Sequence, residues 1–271
     1  MKKCGTLKRE PFNNYYMIQY AIRISVLLSL LVFCTCGSDQ QKEALHIPHL
    51  NITVDGNTGD WNSAPLFQMD SKDHLWIGEG LPEGRWTGKK DLSVSVRIAW
   101  SGQKLYFLFE VTDDTLSRFD REFTWENDCI EIHLDPENRE GERIRGITEG
   151  DPLEARIGRE NYGYEMHFLP AQPPKVFVDD TRGVFYTDST QNRYFQRAWN
   201  GEVSARDTED GYLVEIGFDP PGSDLSRDKI IGMDIGICDD DGMGRKSLMV
   251  WSRFNGPFWI TMDHFKKLRL Q

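Results

Sequence analysis

Residues 125–135, WENDCIEIHLD, constrain the fold more than any other stretch of the chain. A β-strand sends successive side chains to opposite faces. Ile130, Ile132 and Leu134 therefore share one face, and Cys129, Glu131, His133 and Asp135 share the other. Three aliphatics in step predict a buried face. The opposite face is rich in carboxylate and imidazole, with Trp125 and Asp128 at its entrance. A sandwich strand with such a second face either looks at water or lines a ligand site.

The other strong patterns are also strands. LSVSVRIAW (92–100) alternates cleanly, SGQK (101–104) turns, and LYFLFEV (105–111) returns. YGYEMHFL (162–169), a hairpin of 202–206 with YLVEIGF (212–218), IIGMDIGIC (230–238), LMVWSR (248–253) and FKKLRL (265–270) follow. NITV (51–54) is read as the opening strand, ahead of a tight DGNTGDW turn whose Trp61 plugs the core. About ten short strands with turn signals between them, no amphipathic helix and no 20–50-residue repeat predict one all-β domain. The expected architecture is a single antiparallel β-sandwich, immunoglobulin-like or jelly-roll in type, with long loops. The longest loops are 67–90, carrying Trp76 and Trp86; 137–160, a charged surface excursion; and 185–199, ending at Trp199. Trp61, Trp100 and Trp251 are assigned to the core.

The first 36 residues are set apart from the fold. Ile24–Phe33 is a ten-residue apolar run after Arg23, short of the ~20 residues that span a bilayer. It ends at Cys34-Thr-Cys36 and a polar GSDQQ, the shape of a secretion signal. It resembles a bacterial lipoprotein signal, which implies lipid attachment at Cys36, with Met17 as an alternative start. The expected divisions are 1–36 signal, 37–46 tether and 47–271 sandwich. Membrane contact is then expected through the anchor alone, in the cell envelope. The signal holds five Lys/Arg and one Asp/Glu, which leaves 27 against 42 after Cys36. Such an acidic surface repels phosphate backbones and argues against nucleic acid as a partner. Cys129 and Cys238 both fall in strands. They either bridge neighbouring strands as a disulfide or sit as two small buried thiols, and both readings stay open.

Several motifs occur in a characteristic order. They are VDG (54–56) with DW (60–61), LYFLFEVTDD (105–114), W-x-x-D-x-x-E-x-x-x-D (125–135), GYLVE (211–215), IG (231–232) with DDD (239–241), then Trp251 and the terminal Phe265…LRL (268–270). In this order they resemble the family 9 carbohydrate-binding modules and the wider sandwich superfamily around them, over nearly all of 47–271. The resemblance implies non-catalytic binding of a mono- or oligosaccharide. It implies a sugar ring clamped between Trp125 and Trp259, hydroxyls held by Glu131, and Asn255 as a displaced counterpart of the family's amide. It also implies structural calcium, for which Asp113, Asp114, Asp135, Asp239 and Asp240 are the candidate ligands. The chemistry is consistent: pyranose C–H faces stack on flat aromatics, and hydroxyls donate to ionised carboxylates.

Two further readings are kept. One is a sandwich without the sugar site, serving as a protein-interaction or assembly module. The other is an enzyme. Glu131 and Asp135 lie four residues apart on one strand, roughly 13 Å at the backbone, beyond the ~5–9.5 Å of glycosidase pairs. No nucleophile elbow, HExxH or phosphate loop is present. His133 and His167 lie in strands without metal-ligand partners at a recognisable spacing. Haem ligation by Met166 and His167 is disfavoured, because adjacent strand residues point to opposite faces.

Overall fold

The computed structural model describes residues 43–78, 81, 85–117, 123–140, 164–170, 174–179, 184–185, 200–220, 223–259 and 261–271. The chain divides into two units, Met1–Gln41 and Lys42–Gln271. The expected signal and Cys36 fall in the first, outside the described residues; Trp199 and most of the 137–160 excursion belong to the second and also lie outside the described residues.

Thirteen strands lie among the described residues. They are β1 (Leu45–Ile47), β2 (Leu66–Met69), β3 (Leu92–Ser101), β4 (Lys104–Asp113), β5 (Cys129–Asp135), β6 (Tyr164–Leu169), β7 (Lys175–Asp179), β8 (Val184–Phe185), β9 (Gly201–Thr208), β10 (Gly211–Phe218), β11 (Ile230–Asp239), β12 (Ser247–Val250) and β13 (Lys266–Leu270). They form two sheets. One runs β1-β13-β11-β5-β6-β7-β8, with β12 also on β11; the other runs β2-β3-β4-β10-β9. All named pairs are antiparallel except β1 with β13, which is parallel. The all-β sandwich is therefore as expected, with one parallel edge. That edge begins at Leu45, inside the segment read as tether.

The apolar sets predicted by alternation meet between the sheets. Ile130, Ile132 and Leu134 of β5 and Ile231, Met233, Ile235 and Ile237 of β11 face Val94, Val96 and Ile98 of β3 and Phe107 and Phe109 of β4. Trp100 and Trp251 join this core. Each fully buried aliphatic or aromatic side chain contributes about 1.5–3 kcal/mol, so this layer dominates stability.

Both outer faces are also covered, which the strand patterns do not announce. Trp61, Ala64, Ala99, Tyr106, Leu108 and Leu213 form a cluster on the outside of the five-stranded sheet, with Leu50, Ile52 and Val54 against it. The expected opening strand at 51–54 is thus an extended cover without ladder pairing. Its side chains find an apolar surface, while the sheet edge is already taken by β2. Glu215 fixes this cover. It is fully buried and accepts from the backbone N–H groups of Asp55 and Gly56, both at 2.8 Å, and from Trp61 Nε1 at 2.7 Å. Gly56 turns there with φ +83°, a conformation that favours glycine.

Glu215→Ala leaves three donors without their acceptor. It is expected to lower unfolding free energy by about 3 kcal/mol or more, and Glu215→Gln, which keeps one carbonyl, by less. Urea unfolding measures both; a loss under about 1 kcal/mol for the alanine would count against Glu215 as the tie.

Candidate functional site

The second face of β5 is buried, not solvated. Every residue of β5 is buried, because loops cover the outside of this sheet. Trp76, Leu81, Cys129, Leu169, Cys238, Leu248, Val250 and Phe258 form one apolar cluster, against which Trp125, Phe254 and Trp259 pack. Strand register then decides which polar groups meet. Glu131 stands opposite His167 of β6 and Gly236 of β11, His133 opposite Glu165, and Cys129 opposite Cys238. Gly236 makes room: a Cβ there would sit 2.8 Å from Glu131 Oε2.

Glu131 is only 3% exposed. Its Oε2 lies 3.3 Å from His133 Nε2, and its Oε1 accepts the Cys238 thiol at 3.2 Å. Burial pushes its carboxyl up, but the His133 hydrogen bond and the fields of His167 and His133 outweigh it, so its pKa lies below the ordinary carboxylate value. Glu131 is an ionised acceptor inside an apolar cover. Cys129 and Cys238 are directly opposed, both buried and both free thiols; burial raises both pKa values well above the ordinary thiol value.

Trp125 sits in the 3-10 turn Thr124–Glu126 that feeds β5. It is half-buried, with Phe123 stacked on it at 4.8 Å and His167 edge-on at 6.4 Å. Trp259 is also half-buried and meets Trp76 at 5.6 Å and Phe258 at 5.4 Å. Phe258 in turn packs edge-on against His133 at 4.8 Å. The two tryptophans therefore reach the same Glu/His face of β5 and β6, one through His167 and the other through Phe258. Asn255 is exposed, and its Oδ1 accepts the Ile77 N–H at 2.6 Å. Trp76, which sequence reasoning could not rank among the loop tryptophans, braces the Trp259 loop: its Nε1 donates to Gly256 O at 2.8 Å. Two half-exposed indoles beside an ionised acceptor suit a ligand with an apolar face and hydroxyl donors on its edge.

The candidate calcium ligands separate into groups. Asp113, Asp239 and Asp128 come together, each offering a carboxylate oxygen within 4.8 Å of the others, all buried. Among the described residues, Asp113 Oδ2 and Asp239 Oδ1 have no hydrogen-bond partner, and neither has the nearby Tyr212 hydroxyl. Burial, aided by neighbouring carboxylates, pushes Asp113 up to about 6, Asp239 to about 7 and Asp128 to about 9. Three buried carboxylates, two of them with an orphaned oxygen, fit a hard divalent cation. Asp128 stood in the W-x-x-D motif but was not chosen as a ligand; its place just before β5 aims it at the strand ends where Asp113 and Asp239 lie. Asp114 lies instead with Asp91 and Asp241, where Lys246 already pairs with Asp91 and with Asp241. Asp135 and Asp240 serve turns. Asp135 accepts the Glu140 N–H at 3.0 Å, and Asp240 accepts those of Gly242 and Gly244 at 2.8 and 2.7 Å.

Comparison with known proteins bears on the family and the fold. The family model described as "Carbohydrate family 9 binding domain-like" matches residues 61–144. That stretch spans Trp61, β3, β4, Asp128 and all of β5. The chain is 25% identical over 219 residues to Endo-1,4-beta-xylanase A of Thermotoga neapolitana, covering 80% of this chain but 17% of that protein. Two solved structures of a family 9 carbohydrate-binding module from Caldicellulosiruptor kristjanssonii share the fold. The one in complex with glucose has TM-score 0.53 at 14% identity, covering 84% of this chain and 96% of that one. The one in complex with cellotriose has TM-score 0.52 at 16% identity, covering 84% and 94%. Residues 61–144 are thus similar to that family, and most of the chain shares the fold of the two solved structures. The chain spans about a sixth of the length of the xylanase it resembles, since the match covers 17% of that protein.

The aspartate triad makes a prediction about pH. Each of these carboxyls holds its proton more tightly folded than unfolded. Between the ordinary value of 3.8 and the folded one, stability therefore declines as pH rises. His74, lowered by burial, works the other way but is complete above 6.5. In the presence of a chelator, unfolding free energy should fall from pH 7 to 9, by up to about 1.4 kcal/mol per pH unit for each carboxyl still protonated. Urea unfolding at pH 7, 8 and 9 measures it; a flat or rising profile would contradict the assignment.

Proposed function

We propose that this chain binds carbohydrate without cleaving it. A sugar ring stacks on Trp125 and Trp259, and ionised Glu131 accepts hydrogen bonds from its hydroxyls. One observation carries the reading: both half-buried indoles pack on the one apolar cluster that borders Glu131. Neighbouring folds captured with glucose and cellotriose support a mono- or oligosaccharide as the ligand class. Asn255, with its Oδ1 engaged by Ile77, has amide N–H groups to offer. Asp113, Asp128 and Asp239 would hold a structural Ca²⁺ that steadies the strand ends beside β5. A catalytic role fits poorly, because Asp135 is tied to the 135–140 turn and stands two residues beyond His133 from Glu131. On the sequence resemblance, Cys36 would carry the lipid that tethers the domain to the envelope.

Isothermal calorimetry with glucose and cellotriose tests the site. Trp125→Ala and Trp259→Ala should each weaken binding about 10-fold or more, since an aromatic stacking contact of 1–3 kcal/mol is lost. Absence of binding, or binding indifferent to both substitutions, would sink the sugar site and favour the reading as an interaction module. Added Ca²⁺ should raise the melting temperature more at pH 8 than at pH 5.5, because it competes with protons for the triad. An equal rise at both would remove calcium from Asp128.

A further inference from the structure

The polar face of β5 continues onto β6 as a square of alternating acids and imidazoles. Glu131 pairs in register with His167, and His133 with Glu165. Glu131, His133 and His167 are buried and Glu165 is half-buried. One donor atom from each of Glu131, His133 and Glu165 lies within 4.8 Å of the other two. Donors placed ~2.1 Å from a common zinc-like ion stand ~3.4 Å apart, a spacing that modest side-chain rotation reaches.

Three further features point the same way. Glu165 is held from behind: its Oε1 lies 2.8 Å from His167 Nε2, and His167 Nδ1 lies 2.5 Å from Thr124 Oγ1. Carboxylates and imidazoles that ligate metals are oriented by outer partners of this kind. The His133 ring is fully buried, with Nδ1 unpartnered among the described residues. The Glu131 carboxyl is also buried beneath the aromatic cover, where carboxylate oxygens need a bonded partner or a cation.

We propose that Glu131, His133 and Glu165 form a site for a zinc-class divalent ion, with His167 and Thr124 as positioning residues for Glu165. The mixed nitrogen and oxygen donors favour such an ion over calcium, which takes oxygen ligands. Three protein ligands leave a coordination position for water or a hydroxyl. The site is separate from the aspartate triad, and it goes beyond the sugar reading because the ion is measured with no sugar present.

The test is calorimetry of the chelator-stripped full chain with Zn²⁺, in excess Ca²⁺ to fill the triad. One Zn²⁺ per chain should bind. Glu165→Gln, at a half-buried position, should weaken it more than 100-fold, and His133→Gln likewise where circular dichroism shows a folded protein. His167→Gln should cost about 10–100-fold. The Co²⁺ form should show d–d absorption without a thiolate-to-metal band, which separates the proposed ligands from nearby Cys238. No saturable Zn²⁺ binding, binding unchanged by Glu165→Gln, or a thiolate band would each overturn the assignment. Loss of sugar binding in Trp125→Ala with Zn²⁺ binding intact would support both readings, which share Glu131 but not the tryptophans.

Discussion

The structure depends on β5 being buried on both faces. One face belongs to the inter-sheet core, through Ile130, Ile132 and Leu134. The other would be an ordinary wet face of a sandwich if the 75–78 and 254–259 segments did not lie over it. Their Trp76, Phe254, Phe258 and Trp259 shut water out. An excluded-water face cannot leave carboxylates and imidazoles unpaired. Hence Glu131 is bonded to His133 along β5 and Glu165 to His167 along β6, and strand register sets the two pairs side by side. The aromatic cover and the polar square require each other: the cover raises the value of every polar contact beneath it, and the square makes the cover tolerable.

Two sets of buried acids in the same half of the molecule solve this problem differently. Glu131 has His133 and His167 close by and stays ionised despite its burial. Asp113, Asp128 and Asp239 have chiefly each other, so burial and mutual repulsion favour protonation. Lys246 compensates a neighbouring set, Asp91 with Asp241, but not the whole triad. Carboxyls pushed toward protonation are therefore concentrated at the triad, and this follows from which residues the strand ends bring together.

Much of the fold was legible because alternation is a local signal. β3, β4, β5, β10 and β11 all show it, and the inter-sheet core follows from their apolar halves. The DGNTGDW turn and Glu215 were both noticed, but their union was not, since 154 residues separate Trp61 from its acceptor. NITV reads as a strand because its side chains do alternate against an apolar surface; the missing ladder is a fact about edges, not about sequence. The site was legible only in part. Trp125 and Glu131 lie on one local motif, whereas the aromatic cover over them arrives from 254–259 and from Trp76. Asp128 was passed over for Asp135 and Asp240, because carboxylate density along the chain does not reveal which oxygens converge. The Glu/His square was half visible: Glu131-x-His133 and Glu165-x-His167 are same-face pairs within their strands, but only register sets one pair beside the other.

Trp76 links these levels. Its backbone N–H bonds Leu248 O at 2.9 Å and so adds its loop to β12. Its indole N–H bonds Gly256 O, and the next residue, Ile77, bonds Asn255. The same ring packs against Trp259. The orientation of Trp259 is thus set by a strand-like attachment some 180 residues upstream of it, not by its own short loop. A rigid platform loses little conformational entropy when a ligand settles on it. Trp125 gains comparable rigidity from Phe123 and from the Thr124–His167 contact. Both indoles are consequently held in place by neighbours, as the proposed sugar platform would require, and Trp76, which braces Trp259, also helps to cover the face of β5.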